Sequence, residues 1–198
     1  MHAPIDDFRY PPGVVLHTEE QIAHHVWTLR RGLVKLVRYT LEGKQRIVRV
    51  LRPGDVIGLE ALATFKYSSE AVTLTQVSIC RIPIDVIQQL SFNSIRLHSR
   101  LMEKWQQTLQ SADDWLTNLN FGSAQRRVSQ LLLKMQDVEQ PGVSTIFARD
   151  DMGAMLDLKL ETVSREISKL IKMTVIRPID NSGRRFEISC PDILQKAE

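Results

Sequence analysis

Positions Ile95, His98, Met102, Trp105, Leu109, Ala112, Leu116 and Leu119 follow one another in alternating steps of three and four, and neither Gly nor Pro interrupts the chain until Gly122. A seam of this kind, more than three heptads long, calls for one helix that buries a stripe against a second helix. Packing onto the chain's own β region is the alternative. Leu97, Leu101 and Trp115 flank the seam, so one side of the helix can face its own core while the seam faces a twin. The expectation is a homodimer held along these positions, with His98 as a tolerated polar residue in the seam.

The text on either side of this helix has other periods. From Tyr10 to about Pro83, short β-branched runs alternate with turn residues: Leu33–Tyr39, then Glu42-Gly43, then Gln45–Leu51, then Arg52-Pro53-Gly54-Asp55, and later Ala71–Ile82. This spacing suits an antiparallel barrel or sandwich. After Gly122, Val128, Leu131, Leu132, Met135 and Val138 mark an amphipathic helix that Gln140-Pro141-Gly142 should end, and Thr145–Ala148 is a short strand candidate. Two short helices come next. Met152, Met155 and Leu156 give the first its apolar face, Asp157-Leu158 makes the turn, and Leu160, Val163, Ile167 and Leu170 give the second a buried stripe. Glu161, Ser164, Arg165 and Ser168 then share the opposite, exposed face. Val175–Pro178, the turn Asp180-Asn181-Ser182-Gly183 and Phe186–Ser189 make a hairpin. The fold class is therefore α+β, with a β domain over 1–90, a dimerisation helix over 91–121 and a helix-turn-helix with a wing over 122–198.

Composition constrains partners less than pattern does. The net charge of +3 and pI near 9.0 permit a nucleic-acid partner, but residues 124–198 carry 12 Lys and Arg against 11 Asp and Glu, so charge is not concentrated there. No apolar run approaches the roughly 20 residues that span a bilayer, and the start of the chain has neither the basic end nor the apolar core of a signal peptide. A cytoplasmic protein without membrane contact is expected. Cys80 and Cys190 form no CxxC and no Cys/His pair at zinc spacing, which points to two buried thiols. Cys80, sharing a strand face with Leu74 and Ile82, is read as inert in preference to a redox sensor.

The stretch Arg149–Arg165, RDDMGAMLDLKLETVSR, resembles the helix-turn-helix of the CRP/FNR superfamily of bacterial transcription regulators. RPGDVIGLEAL at Arg52–Leu62 resembles the glycine-bounded turn of that family's cyclic-nucleotide-binding-like jelly-roll sensor, and SICRIP at Ser78–Pro83 its last strands. The seam helix stands where its dimerisation helix does. Within the family, Glu161-Thr162-Val163-Ser164-Arg165 is closer to the FNR branch.

The resemblance implies a winged helix-turn-helix that binds double-stranded DNA as a homodimer, on an inverted repeat of TTGAT-like half-sites. Arg165 would take the guanine, Glu161 its paired cytosine and Ser164 a neighbouring base, with Thr162, Ser168 and Lys169 on the same helix and Lys159, Arg184 and Arg185 placed for phosphates. RNA polymerase is a further partner that such a regulator can have.

Departures from the family pattern limit the cofactor. Leu59 follows Gly58 where a Glu is needed, Glu60 is one place late, and Ser68-Ser69-Glu70 offers no Arg for a phosphate, so cyclic AMP is not expected. One cysteine in the barrel cannot hold an iron–sulfur cluster. Haem on His17, His24 or His25 is the remaining option, and no cofactor is predicted. Few residues precede Pro11-Pro12-Gly13, so the sensor is read as trimmed or its ligand site as reduced, sensing an unidentified signal or none. The competing class is a cupin-like metal-dependent enzyme with a helical appendage, for which the sequence offers no HxH and no carboxylate pair beside a histidine.

Overall fold

The computed structural model describes residues 6–137 and 140–197, so the expected helix residue Val138 lies outside the described residues. Two compact units divide the chain, Met1–Ala112 and Asp113–Glu198. The architecture is α+β.

In the first unit the short apolar runs become strands: β1 (Asp6–Tyr10), β2 (Val15–His17), β3 (His25–Arg31), β4 (Val34–Tyr39), β5 (Gln45–Leu51) and β6 (Val56–Ile57). A single helical turn, α1 (Ala61–Thr64), precedes β7 (Glu70–Thr73) and β8 (Val77–Pro83). They form two four-stranded antiparallel sheets, ordered β1-β8-β3-β6 and β2-β7-β4-β5. Leu29, Ile57 and Ile79 from the first sheet meet Val34, Leu36 and Ala71 from the second in the core. A register shift between Leu36 and Val37 lets two consecutive residues of β4 be buried, which a regular pleat would not allow.

The expected single strand Ala71–Ile82 is two strands in different sheets. Leu74, Thr75 and Gln76 form the corner, and the Thr75 hydroxyl accepts from the Leu33 amide at 2.9 Å, fixing the crossing. Leu74 therefore shares no face with Cys80, and Ile82 is only half-buried, whereas Cys80 is buried between partners Asp7 on β1 and Thr28 on β3. Cys190 is half-buried, not buried as expected.

The helix α2 (Ile84–Asn93) leads into α3, which runs Ile95–Leu119, the span of the seam. Ser94 caps its start, its hydroxyl accepting from the Leu97 amide at 3.3 Å. Leu97, Leu101, Thr108 and Ser111 are half-buried on one side and Trp115 is buried. The opposite side leaves Ile95 85%, Met102 50%, Leu109 60% and Leu116 58% exposed, with His98 and Ala112 exposed beside them and Trp105 half-buried. Leu119 departs from the expectation: at 1% exposure it is buried in its own chain. Packing within the second unit, to which Leu119 belongs, covers it, while Leu116 three residues earlier stays exposed. No helix among the described residues is long and apolar enough to cross a membrane.

The second unit continues with α4 (Ala124–Lys134), capped by the Ser123 hydroxyl, then β9 (Val143–Thr145), α5 (Arg149–Leu156), α6 (Leu160–Lys172), β10 (Ile176–Pro178), β11 (Arg185–Ile188) and α7 (Pro191–Gln195). The helix α4 stops before Gln140, earlier than expected, because Gln136 pairs with Ser144 and the Asp137 amide donates to the Val143 carbonyl at 2.7 Å. The strand expected at Thr145–Ala148 is displaced to Val143–Thr145, since Ala148 already serves as the residue before α5. A three-stranded sheet, β10-β11-β9, closes the unit.

Candidate nucleic-acid interface and barrel interior

Two helices and a tight turn build the interface. Asp150 and Asp151 in the first turn of α5 complement its dipole, and Asp157 ends it in the left-handed region at φ 53°, as its residue type tolerates. The Asp157 and Leu158 amides both point back to the Gly153 carbonyl. Gly153 itself lies against the turn: a Cβ there would sit 2.6 Å from the Leu158 carbonyl oxygen. Gly153→Ala is expected to push the two helices apart and cost about 1–3 kcal/mol. A thermal melt unchanged from that of the parent protein would show that the turn yields. Arg127 braces the same place from α4, donating to the Gly122 and Leu156 carbonyls at 3.1 Å each and so satisfying the open end of α5.

Lys159 precedes α6 without a side-chain cap, as its residue type predicts. The buried stripe of α6 is Val163, Glu166, Ile167 and Leu170. Leu160, expected within that stripe, is 46% exposed. One turn ahead of Val163, it reaches past the end of the packed surface, and a carboxylate takes the i+3 position of the stripe instead.

On the other face Glu161, Arg165, Ser168 and Lys169 are exposed, while Thr162 and Ser164 are half-buried. The Ser168 hydroxyl donates to the Ser164 carbonyl at 2.8 Å, so its proton is already engaged. In the hairpin, Asp180 accepts from both the amide and the hydroxyl of Ser182, and Arg177 pairs with Glu187 across the strands at 2.6 Å. Arg184 is exposed at the tip; Arg185 is half-buried and donates to Gln140 at 2.7 Å. Glu166, which the sequence analysis did not single out, is buried in the stripe of α6. Its signal was present, as an acidic residue three places before Lys169 and inside an otherwise apolar stripe.

Within the barrel, His17 is 2% exposed and stacks on Tyr67 with 3.8 Å between centroids, Trp27 lying 5.6 Å away on a near-parallel ring. Neither of its ring nitrogens has a well-aligned partner among the described residues. Burial holds its pKa down to about 4, against a smaller opposing pull from Glu60. The Tyr67 hydroxyl donates to the His25 carbonyl at 2.6 Å, and burial pushes its pKa up to about 12.

A histidine that folds neutral binds its proton less readily than in the unfolded chain, so His17 lowers stability as pH falls from about 6.5 to about 4 and costs nothing above that window. The loss is on the order of 3 kcal/mol at full protonation. Urea unfolding at pH 7 and pH 4.5 should show a smaller acid loss for His17→Phe than for the parent protein. An equal loss in both would assign the acid sensitivity elsewhere.

Residues 7–94 match the model of the cyclic nucleotide-binding domain, and residues 126–197 that of the Crp-like helix-turn-helix domain. An anaerobic regulatory protein of Aggregatibacter actinomycetemcomitans is 25% identical over 176 residues, covering 83% of this chain and 68% of its own. Regulatory protein HlyX of Actinobacillus pleuropneumoniae is 26% identical over 157 residues, covering 76% of this chain and 65% of its own. The chain thus matches about two thirds of the length of these relatives. The solved structure of FixK2 from Bradyrhizobium japonicum superposes with a TM-score of 0.87 over 99% of this chain and 98% of that one, at 23% identity, and so shares the fold. With the barrel of one model followed by the helix-turn-helix of the other, the chain belongs to the CRP/FNR superfamily, a family of transcription regulators and not of enzymes.

Proposed function

We propose that this protein regulates transcription as a homodimer, its two α6 helices entering successive major grooves of an inverted repeat with TTGAT-like half-sites. Residues 1–90 serve as the sensor-like domain, 91–121 as the dimerisation helix and 122–198 as the DNA-binding domain. The observation that carries this reading is α6 itself. A buried apolar stripe seats the helix, and Glu161, Ser164 and Arg165 stand on the face turned away from it. Such a face matches base edges chemically: Arg165 can donate twice to guanine O6 and N7, Glu161 can accept from the cytosine N4 amine, and Ser164 can reach a neighbour. Thr162, Lys159, Arg184 and Arg185 flank that face and its hairpin, where backbone phosphates would pass. Selection of binding sites from random duplexes tests the proposal, and a pool that returns no dyad overturns it.

The exposed apolar side of α3, from Ile95 to Leu116, supports the homodimer, because stripes of that length are seldom left to water. The barrel is read as not accepting cyclic AMP. A Cβ at Gly58 would stand 2.7 Å from the Tyr67 ring, which fills the space above the turn, and the Ser68 amide already donates to a Glu60 carboxylate oxygen. A phosphate arriving there would meet a carboxylate. The cupin-like alternative falls with the family assignment. RNA polymerase remains a partner implied by the class of protein, and the work of such a dimer on chromosomal DNA puts it in the cytoplasm.

A further inference from the structure

On α6 the side chain of Glu166 is 4% exposed, in the layer of Val163 and Ile167. Its Oε1 accepts from Lys169 Nζ at 3.0 Å and from Arg165 Nε at 3.4 Å, and its Oε2 accepts from Lys169 Nζ at 3.1 Å. Both cations are themselves more than half exposed, at 63% for Arg165 and 53% for Lys169. The arrangement joins a carboxylate with almost no water to two groups that face outward.

A buried carboxylate is costly unless paired, and these two cations are the partners that compensate it. Lys169, with two short contacts, is the tighter of the two. Drawing Lys169 away to a phosphate would leave the carboxylate with one long contact, so Lys169 acts as its counter-ion more than as a phosphate ligand. Arg165 is held at Nε alone. Its guanidinium is planar and carries five donors in a fixed fork, so engaging Nε leaves the Nη1 and Nη2 edge pointing away from the carboxylate. That edge is the one that can pair end-on with guanine O6 and N7.

We infer that Glu166 is a positioning residue for base recognition: it presents the Nη1/Nη2 fork of Arg165 and keeps Lys169 from adding sequence-independent attraction. The inference rests on the reading of Arg165 proposed above. Removing the charge of Glu166 should therefore separate two quantities that a merely structural role would move together. Preference for the guanine should fall, while attraction to any duplex should stay or rise.

The test uses the full chain and fluorescence anisotropy on two duplexes: one with an inverted repeat of TTGAT, the other with A·T in place of each half-site's G·C pair, both over a salt series. For Glu166→Gln, which keeps the shape of the side chain, discrimination between the duplexes should drop at least about fivefold. Affinity for the substituted duplex should hold or increase, and the salt slope should steepen by about one unit as Lys169 becomes available to phosphate. Glu166→Asp keeps the charge but shortens its reach, and should lose discrimination without the steeper slope. Thermal melts of both variants establish that they fold, and if the Gln variant does not, the Asp variant carries the test. A parent protein blind to the guanine overturns the reading of Arg165 and this inference with it. A parent protein that prefers the guanine, matched in that preference by a folded variant, overturns the inference alone.

Discussion

Leu109→Asp is expected to leave the protein monomeric, with a light-scattering mass near the 22.7 kDa of one chain instead of twice that. Leu109 is 60% exposed on α3, so within one chain the substitution is a surface change of about half a kcal/mol or less. In a dimer it would set two carboxylates against an apolar seam, costing several kcal/mol. Loss of the dimer removes the second half-site from every binding event, and linked sites typically gain about 10² to 10⁴ in avidity. Affinity for an inverted repeat should fall by a comparable factor, while binding to an isolated half-site changes little. Trp105 would be a poorer choice, being half-buried, because its replacement would disturb the parent fold as well. A Leu109→Asp protein that stays dimeric would remove this helix as the interface.

Arg165→Ala is expected to cost about 1–3 kcal/mol at the cognate dyad and to relax preference at one position, the guanine. Its side chain is 63% exposed, so folding should be untouched. Arg184→Ala or Lys159→Ala should instead weaken binding to all sequences alike and flatten the salt slope by about one unit, as phosphate contacts do. Competition among duplexes that differ only at the guanine separates the two behaviours. An Arg165→Ala protein with the parent preference would move base reading to another residue of α6.

Much of this was legible without coordinates wherever function and fold depend on local order along the chain. The seam coincides with α3 because its heptad spacing is local, and Ser94, whose hydroxyl caps the helix, divides it from α2. The turn at Asp157 and the absence of a cap at Lys159 follow from residue types whose backbone preferences are local. Glu161, Ser164 and Arg165 share a face because a 3.6-residue period puts them there.

Tertiary structure decided what depends on a neighbour distant in sequence. Ala71–Ile82 reads as one strand, and only the Leu33 backbone on Thr75 divides it between two sheets. The seam names Leu119 as readily as Leu109, and only packing of the chain's own second unit buries one and leaves the other to water. His17 reads as a stray histidine until Trp27, ten residues on, and Tyr67, fifty residues on, close over it and deny it a proton. Glu166 stands within an otherwise apolar stripe in the sequence, but a sequence does not record how far the packed layer extends around it, and so not that its carboxylate is buried. Burial is a property of the whole assembly of elements, and it is burial that turned this carboxylate from a solvated charge into a clamp on Lys169 and Arg165.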